Sequence, residues 1–133
     1  MPLTKRVLIV EDNPHVVEMF SYALKKMALA DPQKQVSMDI LVAGNGHEAW
    51  QKLQTESVDL VLADVYMPVM DGIALLGKIR ASDNPRLREQ PVVIFSGGED
   101  TKFRAMDAGA DVFLKKPIRF QEIAETVKRL WNW

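Results

Sequence analysis

The sequence predicts an α/β fold, a doubly wound parallel sheet of five strands with helices on both faces. Three observations predict it. Short, continuous apolar runs recur five times along the 133 residues, as expected of strands buried on both faces. Segments with helical spacing separate them, and strand alternating with helix builds a parallel sheet covered on both sides. No linker, repeat or low-complexity tract interrupts the pattern, so residues 1–133 read as a single domain.

Val7-Leu8-Ile9-Val10 is the first strand and stops at Glu11-Asp12-Asn13-Pro14. A helix follows, with apolar residues at Val16, Phe20, Ala23 and Met27. Pro14 suits its first turn, and Asp12 or Asn13 is its cap. A polar connection, Asp31 to Ser37, leads to a second strand from Asp39 to Ala43. Gly44-Asn45-Gly46 is turn chemistry, and a short helix then carries Ala49, Trp50 and Leu53. Leu60-Val61-Leu62-Ala63 is the third strand, ending at Asp64; a loop with Pro68 and Gly72 and a helix with Ile73, Leu76 and Ile79 come next. Val92-Val93-Ile94-Phe95 is the fourth strand, ending at Ser96-Gly97-Gly98. The next helix carries Phe103 and Met106, with Gly109 as its C-terminal cap. Val112-Phe113-Leu114 is the fifth strand, ending at Lys115-Lys116-Pro117, and the last helix has Phe120, Ile123, Val127 and Leu130 on one face. Right-handed crossovers favour a doubly wound sandwich. The flavodoxin-like order 2-1-3-4-5 suits five strands.

Composition excludes several function classes. The apolar share is 47%, the charged share 26% and the net charge −1. There is no global basic field to hold nucleic acid and no polybasic run to hold a membrane. Without cysteine there is no disulfide, thiolate metal site or cysteine nucleophile, which fits a reducing cytoplasm. The polar stretch from Met1 to Arg6 is too short for a signal peptide or a spanning helix.

In sheets of this kind the site lies outside the carboxyl ends of the strands. The first strand delivers Glu11 and Asp12 there, the third Asp64, the fourth Ser96 and the fifth Lys116. Three carboxylates in one cleft repel each other, so a counter-charge is present or their pKa values rise. A cluster of oxygen ligands suits a hard cation such as Mg²⁺, which keeps several waters. A lysine supplies a point charge for a phosphate oxygen, and a carboxylate can attack phosphorus. Neutralising the charge on the transferring group is the main demand of phosphoryl transfer. Singly, each residue has a plain role as a cap, turn or surface charge. Their joint placement at four of the five strand ends carries the inference. Met67, Met70 and Met106 read as packing residues, and His15 and His47 as surface histidines.

These residues stand in motifs that resemble the receiver family of two-component response regulators, best known from bacteria. The motifs are Val7-Leu8-Ile9-Val10-Glu11-Asp12-Asn13, Asp64-Val65-Tyr66-Met67-Pro68-Val69-Met70-Asp71-Gly72, Phe95-Ser96, Ala108-Gly109-Ala110-Asp111 and Phe113-Leu114-Lys115-Lys116-Pro117. The resemblance covers the whole chain in order. It implies that Asp64 is the phosphoacceptor and that Mg²⁺ is held by Asp12 directly, by Glu11 through water, by Asp64 and by the backbone carbonyl of Tyr66. Ser96 would bind the phosphoryl group, Lys116 would pair with it, and Phe113 would occupy the aromatic switch position. The Lys116-Pro117 bond would be cis. Implied partners are a sensor histidine kinase or a histidine phosphotransfer protein, and a downstream protein. The downstream protein would read the face formed by the helix after the fourth strand, the fifth strand and the last helix. The resemblance leaves room for a homodimer. The protein would be no enzyme beyond its own phosphorylation and dephosphorylation.

The sequence departs from the family in four places, the first being a segment from Ser96 to Lys116 slightly shorter than the norm. Gly97 stands where alanine is usual, Phe113 lacks the hydroxyl of the usual tyrosine, and the connection from Ala28 to Ser37 is long. A dehalogenase-type phosphatase would need a second acid two residues after Asp64, where Tyr66 stands. A dinucleotide-binding domain would need a glycine fingerprint after the first strand. The remaining alternative is a phosphorylation-independent receiver-like interaction module, against which the complete set of site residues argues.

Overall fold

Residues 3–133 are described by a computed structural model. Five strands form one sheet: β1 (Leu3–Val10), β2 (Val36–Ala43), β3 (Leu60–Asp64), β4 (Val92–Ser96) and β5 (Val112–Lys115). Their order is β2-β1-β3-β4-β5, and every pairing is parallel. The helices are α1 (Pro14–Leu29), α2 (Gly46–Thr55), α3 (Gly72–Arg80), α4 (Pro85–Arg88), α5 (Glu99–Asp107) and α6 (Phe120–Leu130).

Period-two alternation splits the core in two. Leu8, Val10, Val61, Ala63 and Ile94 face one side, against Leu53 of α2, Leu75, Leu76 and Ile79 of α3, Leu87 of α4 and Ala105 of α5. Val7, Ile9, Leu62, Val93 and Phe95 face the other, against Phe20, Leu24 and Met27 of α1 and Ile123 and Val127 of α6. The central strands β3 and β4 are buried along their whole length, which is why their sequences are unbroken apolar runs.

The expected fold class and strand order are those observed. Asn13 caps α1 by accepting from the His15 N–H, with Pro14 in the first turn. Gly109 follows α5 with φ +104°, the left-handed geometry expected of it. The Lys116-Pro117 bond is cis.

Three expectations need correction. β1 begins at Leu3 and β2 at Val36, both earlier than predicted, because the two strands pair with each other from Leu3↔Val36 onward. β3 joins only at Val7, so the first residues of β1 stay partly exposed and lack the apolar signature. The four-residue α4 was not expected; it buries only Leu87. In α5 the large apolar residues point outward, with Phe103 80% and Met106 44% exposed. Thr101 and Ala105 are buried instead, so small side chains seat this helix and Met106 is not a packing residue.

Candidate phosphoryl-transfer cleft

The carboxyl ends of the strands deliver the predicted residues to one edge. Glu11 follows β1 directly and extends its ladder, its N–H donating to the Ala43 carbonyl at 2.9 Å. Asp64 closes β3 opposite Phe95 of β4. Ser96 closes β4 opposite Lys115, and the Lys116 N–H donates to the Ser96 carbonyl at 2.9 Å. Backbone register therefore fixes where each functional side chain starts.

Asp64 is buried, at 5% exposure, and its Oδ2 accepts from Lys116 Nζ at 3.3 Å. The lysine also lies 5.4 Å from the centroid of the Phe95 ring, so stacking and charge both hold it in the cleft. Ser96 is fully buried, and its Oγ accepts from the Gly98 N–H at 3.2 Å. Its hydroxyl proton is left for another acceptor.

Glu11 is 3% exposed and Oε1 accepts from the Asn13 N–H at 3.1 Å. Its carboxyl is pushed up to about 7, chiefly by burial. The Asn13 hydrogen bond opposes that rise, and the neighbouring Asp64 and Asp12 carboxyls add to it. Among the described residues, two buried oxygens, Glu11 Oε2 and Asp64 Oδ1, have no hydrogen-bond partner. Orphaned buried oxygens are costly, and here both belong to acids at the same edge.

Asp12 is exposed at the rim of the cleft. Tyr66 is 60% exposed, and among the described residues its backbone carbonyl accepts no hydrogen bond. Also among the described residues, no three acidic or histidine side chains converge closely enough to cage an ion unaided. Two orphaned carboxylate oxygens, a free carbonyl and a rim carboxylate nevertheless form an all-oxygen donor set. Such a set fits Mg²⁺, which retains several waters and takes few protein ligands.

Sequence reasoning placed Gly72 in a loop without assigning it a task. A Cβ on Gly72 would lie 2.1 Å from the Asp64 carbonyl oxygen, and its N–H donates to the Val65 carbonyl at 3.0 Å. Glycine here lets α3 start against the backbone that carries Asp64. Val69 was missed as well. It has φ +71°, and the Met70 N–H donates to the Pro68 carbonyl across it at 2.8 Å. This is a γ-turn in its strained, positive-φ form. The Met70 carbonyl in turn accepts from Gly46 N–H at 2.9 Å. No periodicity signals either feature.

Phe113 is half-buried and packs on the core face that includes Ala105. Lys115 points away from the cleft and pairs with Glu99 at the start of α5. Gly97 and Gly98 have ordinary backbone angles, and a Cβ on Gly97 would meet nothing within 4 Å. His15 and His47 are exposed, as expected. Among the described residues no helix is long and apolar enough to cross a membrane.

The response regulator receiver domain model matches residues 7–128. The two-component response regulator-like protein PRR73 of rice is 33% identical over 133 residues, covering 97% of this chain but 16% of the rice protein. The signal receiver domain of a signal transduction histidine kinase from Syntrophus aciditrophicus superimposes with a TM-score of 0.79 at 32% identity, covering 96% of this chain and 90% of that one. The receiver domain of a sensor histidine kinase from Pseudomonas aeruginosa, with magnesium coordinated in its active-site cleft, shares the fold at TM-score 0.81 and 22% identity, covering 98% and 99%. Relatives come from a plant as well as from bacteria, so the likeness does not mark a bacterial source. The match spans nearly the whole chain and includes every strand end that builds the cleft: this chain belongs to the response regulator receiver domain family of two-component systems.

Proposed function

We propose that Asp64 accepts a phosphoryl group from a phosphohistidine on a sensor kinase or a histidine phosphotransfer protein. One observation carries the reading. Asp64 is buried with one oxygen on Lys116 and the other without a partner, beside a second orphaned oxygen on Glu11. An Asp64 oxygen attacks phosphorus, the phosphorus–nitrogen bond breaks, and the imidazole leaves with the electron pair and takes a proton from solvent. Lys116 stays within reach of the new phosphoryl oxygens, and the Ser96 hydroxyl donates to another. Glu11, Asp12, Asp64 and the Tyr66 carbonyl would hold Mg²⁺. When bound, the ion neutralises charge on the transferring group. Attack by water at phosphorus then releases inorganic phosphate and restores the carboxylate, so turnover is confined to the protein itself.

The readout follows from what the phosphoryl group must recruit. For Ser96 Oγ to turn toward it, the bond to the Gly98 N–H has to be given up. That frees the start of α5, whose seat is small and whose outer face offers Phe103 and Met106. A downstream protein would bind the face formed by α5, β5 and α6. Phe113, already half-buried and without a hydroxyl to hold it at the surface, shifts between pre-existing states.

Incubation with acetyl phosphate and Mg²⁺, followed by intact-mass measurement, should add one phosphoryl group. Asp64→Asn should abolish the label and Asp12→Ala should weaken Mg²⁺ binding and labelling together. Labelling of Asp64→Asn at the native rate would refute the assignment. With beryllofluoride, NMR shifts should extend from Ser96 to Arg119. Shifts confined to Glu11, Asp12 and the Asp64 loop would refute the output face.

A further inference from the structure

At the opposite end of the sheet, where the strands begin, the described residues form a pocket of about 260 Å³. Leu3, Lys5, Lys34, Val36, Trp131 and Trp133 line it. The two indoles stand 6.2 Å apart, tilted by 34°. Lys5 Nζ lies 5.3 Å from the Trp131 ring centroid and Lys34 Nζ 5.5 Å from that of Trp133. Among the described residues neither lysine pairs with a carboxylate. Arg6, the neighbour of Lys5, engages both Asp39 and Glu56.

We propose that this pocket is a docking site for an acidic segment of a partner protein, one apolar side chain flanked by carboxylates. Three features select that occupant. The volume falls below the roughly 300–1,000 Å³ of sites that enclose a drug-sized molecule, so the pocket takes a side chain rather than a whole cofactor. Besides the lysines and Asn132, its walls are indole, leucine and valine, which favour an apolar anchor. Its two free cations stand on separate elements, β1 and the loop before β2, each over its own indole. Anionic charge must therefore arrive at two places around one apolar group. A peptide of acid–apolar–acid pattern does this, and a single small carboxylate does not.

The site is remote from phosphoryl transfer. Seven steps of β1 at about 3.3 Å each put Leu3 roughly 23 Å from Val10, where the cleft begins. Docking here would hold a partner whether or not Asp64 is phosphorylated.

The test uses the peptide acetyl-Glu-Asp-Phe-Glu-Asp-amide and tryptophan fluorescence. It runs on a Trp50→Phe background, because Trp50 stands apart on α2 near Lys78. A saturable change is expected, with the dissociation constant unaltered by Asp64→Asn. Lys5→Ala with Lys34→Ala should weaken binding at least tenfold, and so should serine in place of the peptide's phenylalanine. Lys5→Arg with Lys34→Arg should retain it. Lack of saturation, equal binding by the alanine variant or equal binding of the serine peptide would overturn the proposal. Phenylacetate binding as tightly as the peptide would assign the pocket to small carboxylates instead. Self-association in sedimentation velocity that the alanine variant abolishes would assign it to a second copy of the chain. Either result also overturns the proposal. Because Asp64→Asn binds normally if the site is right, its outcome stands apart from that of the phosphorylation assay.

Discussion

The two ends of the sheet treat charge in opposite ways. Where the strands begin, two arginines and the acids around them are satisfied. Arg6 donates to Asp39, Glu56 and the Ser57 carbonyl, and its N–H donates to Asp59. Arg80 donates to the carbonyls of Gly109, Arg88 and Gln90 and to Asp111, which also accepts from the Val92 N–H. Where the strands finish, two buried carboxylate oxygens have no partner among the described residues. The same fold that pairs these guanidinium groups with acids and carbonyls at one edge leaves acid oxygens unpaired at the other. Unsatisfied buried acids at one edge make that edge the candidate for chemistry.

The comparison can be broken most forcefully at Gly72. Alanine there would push its Cβ into the Asp64 carbonyl oxygen, 2.1 Å away. Backbone must move, so Gly72→Ala should cost about 3 kcal/mol or more and slow acetyl phosphate labelling at least tenfold. Urea titration and intact mass measure the two effects. Native-like labelling would mean that this contact does not position Asp64.

Glu11 gives the next effect, with the opposite sign. Its carboxyl lies near 7 in the folded chain against an ordinary 4.5, chiefly through burial. Between these values the folded chain holds a proton that the unfolded chain releases. Stability should therefore fall as pH rises from about 4.5 to about 7 and then level off, a loss of up to about 3 kcal/mol. Glu11→Gln should flatten that slope in urea titrations across pH, and saturating Mg²⁺ should offset it for the native chain. An unchanged slope in Glu11→Gln would place the cost elsewhere.

Arg80→Ala sharpens the contrast from the other end. It removes a half-buried guanidinium and leaves three carbonyls and Asp111 short of a donor. A loss of about 2 kcal/mol is expected, with the initial labelling rate under folding conditions unchanged. A matching fall in labelling would show that the two ends are energetically coupled.

Much of this was legible in the sequence. β3 and β4 are buried on both faces, so Leu60 to Ala63 and Val92 to Phe95 read as strands with nothing else competing. Their polar terminators, Asp64 and Ser96, then fell at the functional edge by topology alone. What escaped was set by neighbours distant in the chain. Leu3 to Arg6 hold one apolar residue in four because only β2 flanks them. Leu87 is a single buried residue, too little to mark a helix. Phe103 and Met106 look like an inward stripe, but Thr101, whose hydroxyl donates to the Gly98 carbonyl, and Ala105 are the buried face. Gly72 sits in a readable motif, yet its task depends on how closely α3 approaches a backbone eight residues earlier.

The turn at Val69 ties local opening of the Asp64 loop to a helix, α2, that carries none of the cleft residues named above. A β-branched residue at φ +71° costs on the order of 1–3 kcal/mol, so this segment opens at lower free energy than the sheet beneath it. Its release also withdraws the Met70 carbonyl from the Gly46 N–H, the first backbone donor of α2. Amide hydrogens at Met70 and Gly46 should then exchange as one unit, faster than those of β3. Opening of the Asp64 loop would in this way reach the first turn of α2 through one backbone hydrogen bond.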